Sequence, residues 1–307
     1  MRWCVCLALI VLNTNWVLAQ DAAPPTLPPA AAEPPITLEP DATGTVPAAQ
    51  IRALLLRAED KDLENDKRLR DYTYIERQEE HKLDEHGNVT KTEIRTFEIL
   101  EIYGEQVEKL TAKDDKPLSP EEAKKEDDKI QKIIDKRKNE SEDERRKRGE
   151  KQEKQREDDR KFVLEVADAF NFRLVGSETI DGHDCWVLQG EPRPEFQPKR
   201  REAKWLTKFH GRVWIDKAET QWVKLDISAI ETISIGLFLA RIHKGAHVVV
   251  DLTEVNQEVW LPKHVQFRVD ARVALLKNYR EDVEQSFRDY KKFRTETKIT
   301  VVGETEP

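Results

Sequence analysis

From His264 to Val273 the chain alternates without a break. Val265, Phe267, Val269, Ala271 and Val273 are apolar, and the residues between them are polar. A period of two belongs to a β-strand with one buried and one wet face, because successive side chains point to opposite sides of the backbone. Similar segments recur through the C-terminal half, which predicts one large antiparallel sheet with a single buried face. Something must cover that face. What covers it is the functional question, because no residue cluster dictates a reaction.

The N-terminus reads as an export signal. Arg2 is followed by an apolar run over residues 3–12, and Val17-Leu18-Ala19 places tolerated residues for cleavage after Ala19, giving a signal peptide over residues 1–19. A spanning helix needs about 20 apolar residues, and this run stops at Asn13. No later segment is long and apolar enough to span, so the expected product is exported, periplasmic and not membrane-spanning. Residues 20–47 hold eight prolines among alanines and threonines and read as a semi-rigid, solvated tether. Of three cysteines, Cys4 and Cys6 lie in the signal. Cys185 is left without an internal partner and reads as a buried, inert thiol rather than a nucleophile.

Residues 48–307 read as one domain. Ile51, Leu54, Leu55 and Leu63 predict an amphipathic helix over residues 48–66. Strands are predicted from Tyr72, from Val89 to Leu100 and over 105–110, with a hairpin tip at His86-Gly87-Asn88. Residues 113–160 differ in character: 17 Lys or Arg and 17 Asp or Glu among 48 positions, net zero. Ser119-Pro120-Glu121-Glu122 opens this insertion as a capping box. Acids precede bases at four-residue spacing in Glu142/Arg146, Asp143/Lys147 and Glu144/Arg148, which supports a helix. The expectation is a long exposed helix or helical hairpin, with a bend or weak point at Gly149 and a stripe of Ile130, Ile133 and Ile134 too thin to pack. Phe162, Val166 and Phe170 predict a further helix. Hairpins follow around Asp181-Gly182-His183 and at residues 217–220, and strands over 246–255, 264–273 and 282–302 complete the sheet. Residues 232–240 carry apolar side chains on both faces, which suggests double burial, a lid or contact with an apolar ligand.

Chemistry finds little support. The basic cluster Arg145-Arg146-Lys147-Arg148 is interleaved with acids in a chain of net charge −8, so a nucleic-acid partner is not expected. His243 and His247 are spaced for a helical metal site, but Gly245 and the strand pattern oppose a helix, and no third ligand is near. His183-Asp184 has no serine partner, and phosphate-binding glycine loops are absent. The reading is no enzyme, no cofactor and no metal.

The order of elements, the Tyr72-Thr73-Tyr74 strand, Gly211-Arg212-Val213-Trp214-Ile215-Asp216 with its turn, and Val259-Trp260-Leu261-Pro262 resemble the LolA/LolB-like superfamily of outer-membrane lipoprotein-sorting proteins, which includes RseB-like sensors. The stretch from Phe238 through Pro262 resembles, more specifically, a group of exported bacterial proteins without a settled role. The resemblance implies an α+β fold: a large antiparallel sheet curved as an unclosed barrel with covering helices, here carrying a charged helical insertion. It also implies an apolar hollow that takes a lipid or lipoprotein acyl chain in lipoprotein sorting or outer-membrane maintenance. The residues expected to line it are Ile233, Ile235, Leu237, Leu239, Val265, Phe267 and Val269. The alternative is a periplasmic scaffold or sensor with no lipid ligand, which meets an envelope protein through residues 119–160.

Overall fold

The structure, a computed structural model, describes residues 36–103, 105–235, 240–273 and 277–293. The signal segment and residues 20–35 of the tether lie outside these.

Helix α1 (Ala48–Leu69) opens the ordered core and ends two residues before Tyr72 starts the first strand. Strands β1 (Tyr72–Leu83), β2 (Val89–Ile102), β3 (Glu105–Lys113) and the short β4 (Lys116–Pro117) form a meander. Two helices follow, α2 (Pro120–Lys138) and α3 (Glu142–Ala169). The chain then returns to strands β5 (Phe170–Ile180) and β6 (His183–Pro192), a 3-10 turn (Glu202–Lys208), β7 (Phe209–Asp216) and β8 (Trp222–Ala229). Two three-residue strands, β9 (Ile233–Ile235) and β10 (Ala240–Ile242), precede β11 (His247–Val255), β12 (Val259–Val273) and β13 (Lys277–Lys292).

The strands make one antiparallel sheet in the order β4-β3-β2-β1-β13-β12-β11-β8-β7-β6-β5, with β10 on β12 and β9 on β10. β4 and β5 stand at opposite ends and do not pair, so the sheet is not closed into a barrel. Its two halves are joined where β13 returns beside β1, with Glu79 opposite Glu284. The alternation that predicted β12 sets the register: Val265 faces Val250 and Phe267 faces Val248, and these apolar residues share the concave side. Gly211 of β7 is required by close approach, because a Cβ there would lie 2.5 Å from the carbonyl oxygen of Asp226.

The core lies between this concave side and the helices. α1 supplies Ile51, Leu54, Leu55 and Ala58, and α3 supplies Val163 and Ala167. They meet Val187, Leu225, Val250, Val265 and Phe287 of the sheet. Each fully buried side chain of this size stabilises the fold by about 1.5–3 kcal/mol relative to exposure. Asn65 fixes the angle of α1: its Nδ2 donates to Gln221 Oε1 at 2.9 Å, and its Oδ1 accepts from the Trp260 amide at 3.2 Å. Within the proline-rich stretch, residues near its end are tied to the domain. Val46 is buried and its amide donates to the Phe172 carbonyl at 2.9 Å, while the Leu174 amide donates to the Gly44 carbonyl at 2.8 Å.

The charged insertion departs from expectation in three ways. Gly149 is not a bend: α3 runs through it, and the break falls earlier, at residues 139–141, where Ser141 and Glu144 form a second capping box. The helix expected over residues 162–170 is the end of α3, and Phe170 already begins β5. Nor is the isoleucine stripe too thin to pack. Ile130 is buried against Ile102 and Val107, with Ile133 and Ile134 alongside, so α2 docks on β3. Around the turn, the Glu140 carboxylate accepts from Arg148 Nε at 2.7 Å and Nη2 at 2.5 Å, all nearly buried. The doubly apolar stretch 232–240 resolves, where described, into β9 and β10.

Candidate ligand cavity

The helices cover the concave face without filling it. Between them remains a cavity of about 370 Å³, within the range of roughly 300–1,000 Å³ common for small-molecule sites. Its floor is the inward row of three neighbouring strands: Trp222, Leu225 and Ile227 on β8, Val248 on β11, and Val265, Phe267 and Val269 on β12. Its roof is Phe162, Val163 and Val166 of α3, with Leu55 of α1 beside them. The lining also takes in Phe170 and Phe172 of β5, Val213 of β7, and Tyr279 and Glu281 of β13, so the hollow runs across the sheet as well as along its strands.

Its ends differ. At one end Trp222 and Glu59 are both buried. Burial, then the charges of Asp62 and Asp159, push the Glu59 carboxyl up to about 7. Burial likewise pushes Asp62, one turn along α1, up to about 6. At pH 7 Glu59 is therefore about half ionised and Asp62 mostly so, and this end sheds its negative charge only as the pH falls below about 6. At the other end Phe267, Tyr279 and Glu281 keep contact with solvent, and Arg268 is exposed.

Of the residues expected to line the hollow, Ile233, Val265, Phe267 and Val269 do so. Ile235 packs instead in a neighbouring cluster with Trp205, Ala229 and Ile242. Leu237 and Leu239 lie outside the described residues. Sequence reasoning read the helices over residues 48–66 and 162–170 as possible covers of the concave face, but did not assign Leu55, Phe162, Val163 or Val166 to the lining. The Phe162–Val166 spacing was legible as a helix face, but nothing local says that this face meets β8 and β11, whose lining residues were missed for the same reason.

The other singled-out groups are occupied elsewhere. Cys185 is fully buried, and burial followed by the charge of Asp216 pushes its thiol up to about 11, so it is neutral. His243, just past β10, pairs with Asp270 at 3.0 Å, and His247 at the start of β11 pairs with Asp226 at 2.8 Å. His183 lies against the Trp260 ring, with 4.5 Å between centroids. Among the described residues, no group of three or more His, Cys, Asp or Glu is placed to hold a metal ion, and no helix is long and apolar enough to cross a membrane.

No protein-family model matches the chain, and no curated protein does. Among solved structures it is similar to a LolA superfamily protein from Nitrosomonas europaea, with 9% identity, 80% of this chain and 94% of that chain covered, and a TM-score of 0.30. It is also similar to an outer membrane lipoprotein-sorting protein domain from Vibrio parahaemolyticus, with 11% identity, 81% and 95% covered, and a TM-score of 0.33. A third likeness is to the MucA/MucB complex of Pseudomonas aeruginosa, with 9% identity, 78% and 94% covered, and a TM-score of 0.21. At such scores these likenesses carry none of the functional argument, which rests on the chain's own geometry.

Proposed function

We propose that this protein is a non-enzymatic exported envelope protein that holds a lipid or lipoprotein acyl chain in the hollow between its sheet and its helices. The observation that carries the reading is the cavity itself: about 370 Å³, apolar throughout its middle, wet at one end and dry at the other. Each methylene moved from water into such a site gains about 0.8 kcal/mol. Among the described residues the lining holds no serine, cysteine or histidine and no group placed to hold a metal ion. The role we propose for such a protein is lipoprotein sorting or outer-membrane maintenance.

The test is direct. Organic extraction of the purified protein should release an acyl-chain species, and a fluorescent fatty acid should bind the delipidated protein. Filling the hollow with Val166→Phe and Val248→Phe should weaken that binding at least tenfold while the melting temperature holds. Neither an extractable acyl species nor fatty-acid binding would sink the reading.

A second reading draws on the helices. α1 and the C-terminal half of α3 occupy much of the concave face, as they would in a scaffold or sensor whose working part is the α2–α3 arm. Deleting residues 119–157 should then abolish capture of an envelope partner. An acyl carrier stripped of the arm would keep its fatty-acid affinity.

A further inference from the structure

The end of the sheet beside the cavity's wet rim carries two cations that the hollow does not use. Where β10 pairs with β12, Arg241 stands directly opposite Arg272. Their row continues to Ser234 of β9 and Asn278 of β13. The adjacent pair, Ile242 and Ala271, turns inward to a buried cluster, so both arginines lie on the other face, and both are exposed. Residues directly opposite on antiparallel strands hold their Cβ atoms about 5 Å apart, and like charges there destabilise the sheet.

Among the described residues no carboxylate relieves the repulsion. Arg272 Nε donates to the amide oxygen of Asn278 at 3.1 Å, which supplies no charge. Among the described residues neither arginine forms an ion pair, because the surrounding acids are engaged elsewhere. Asp270 takes Arg280 at 2.9 Å and His243 at 3.0 Å, Asp282 accepts Arg268 Nε at 3.0 Å, and Glu231 takes Lys208 at 3.5 Å. Exposed Lys244, in the turn after β10, is a third cation with no carboxylate partner among the described residues. This local excess stands out in a chain of net charge −8.

We propose that Arg241, Arg272 and Lys244 form a docking surface for the anionic headgroups of a phospholipid bilayer. Guanidinium forks match phosphate oxygens two at a time. A row of phosphates would turn the cross-strand repulsion into a shared attraction. Bound this way, the protein brings Phe267, Tyr279 and Glu281, the wet rim of the hollow, close to the lipid surface. Choosing a bilayer over an acidic protein rests on the acyl reading of the cavity; the unrelieved cation pair does not.

The experiment is vesicle co-sedimentation of the purified protein. Phosphatidylglycerol vesicles at low salt should bind it and phosphatidylcholine vesicles should not. Arg241→Gln with Arg272→Gln should lower partitioning roughly thirtyfold, since each basic residue near an anionic surface contributes about a fivefold factor. The double variant removes a repulsion, so its melting temperature should hold or rise, which separates lost docking from lost folding. Its fatty-acid affinity should be unchanged. Equal partitioning of variant and parent, or equal binding to both vesicle types, overturns the proposal. So does arginine-dependent binding of inorganic phosphate or an acidic peptide without vesicle binding. Vesicle binding that depends on the arginines in a protein that takes up no acyl chain leaves the docking surface standing and removes only the cavity reading.

Discussion

Glu59 shows how one side chain ties stability to the hollow. Its carboxyl sits at about 7 in the fold against an ordinary 4.5, because burial and two neighbouring acids oppose its charge. A raised acid favours the folded state while it is protonated. Stability is therefore full below about pH 4.5, falls as pH rises and levels off above about 7. Asp62, raised from 3.8 to about 6, adds a slope of the same sign over a lower window. Glu59→Gln should remove the upper part of that loss and stabilise the protein at pH 8 by up to about 3 kcal/mol, at 1.36 kcal/mol per pH unit. Urea unfolding at pH 5 and pH 8 measures it, and parallel slopes for variant and parent would show that Glu59 is not the titrating group. A second residue-scale prediction concerns Gly211. An alanine there would place its Cβ 2.5 Å from the Asp226 carbonyl oxygen, so β7 and β8 must part. Gly211→Ala should cost about 1–3 kcal/mol, as overpacking does, visible as a lower urea midpoint.

At the scale of elements, the charged arm is the instructive case. Charge pairs and the Ser119–Glu122 capping box were readable in its sequence; that box forms, and Ser141 with Glu144 adds a second. What the sequence could not show was the partner for three isoleucines. A thin stripe reads as unpackable until β3 and Ile102 are known to lie beneath it, and that contact is set by a sheet edge formed elsewhere in the chain. Ile130→Ala should cost about 2–4 kcal/mol of local stability, appearing as faster amide exchange across residues 120–138 with the β12–β13 ladder unaffected. Exchange that stays slow in α2 would mean the arm is held by its charges alone. The exposed part of α3, where Arg146 pairs with Asp143 at 2.6 Å and Lys147 with Asp143 at 3.4 Å, is different. Such pairs give about 0.2–0.5 kcal/mol each and are screened by salt. An isolated peptide of residues 119–160 should lose helix on going to 1 M salt, measured by circular dichroism, because it has left its β3 dock behind.

For the whole molecule, strand identity was largely legible and strand order was not. The alternation at residues 264–273 fixed β12 and its inward face, and with it Val265, Phe267 and Val269 as lining. Yet the return of β13 to pair with β1, about 200 positions apart in sequence for Glu79 and Glu284, leaves no local trace. The roof of the cavity depends on that closure, which curls the sheet toward α1 and α3. The lining residues of α3, β8 and β11 were therefore invisible until the halves met.

The two ends of that sheet, β4 and β5, never join. A closed barrel has its girth set by strand number and stagger, so its interior can grow only by breaking ladder hydrogen bonds. An open curl is under no such constraint. It can tighten or slacken by small changes of twist spread over many strands, with every backbone pair intact. Such a hollow is of adjustable gauge, lined by the same set of side chains at every setting.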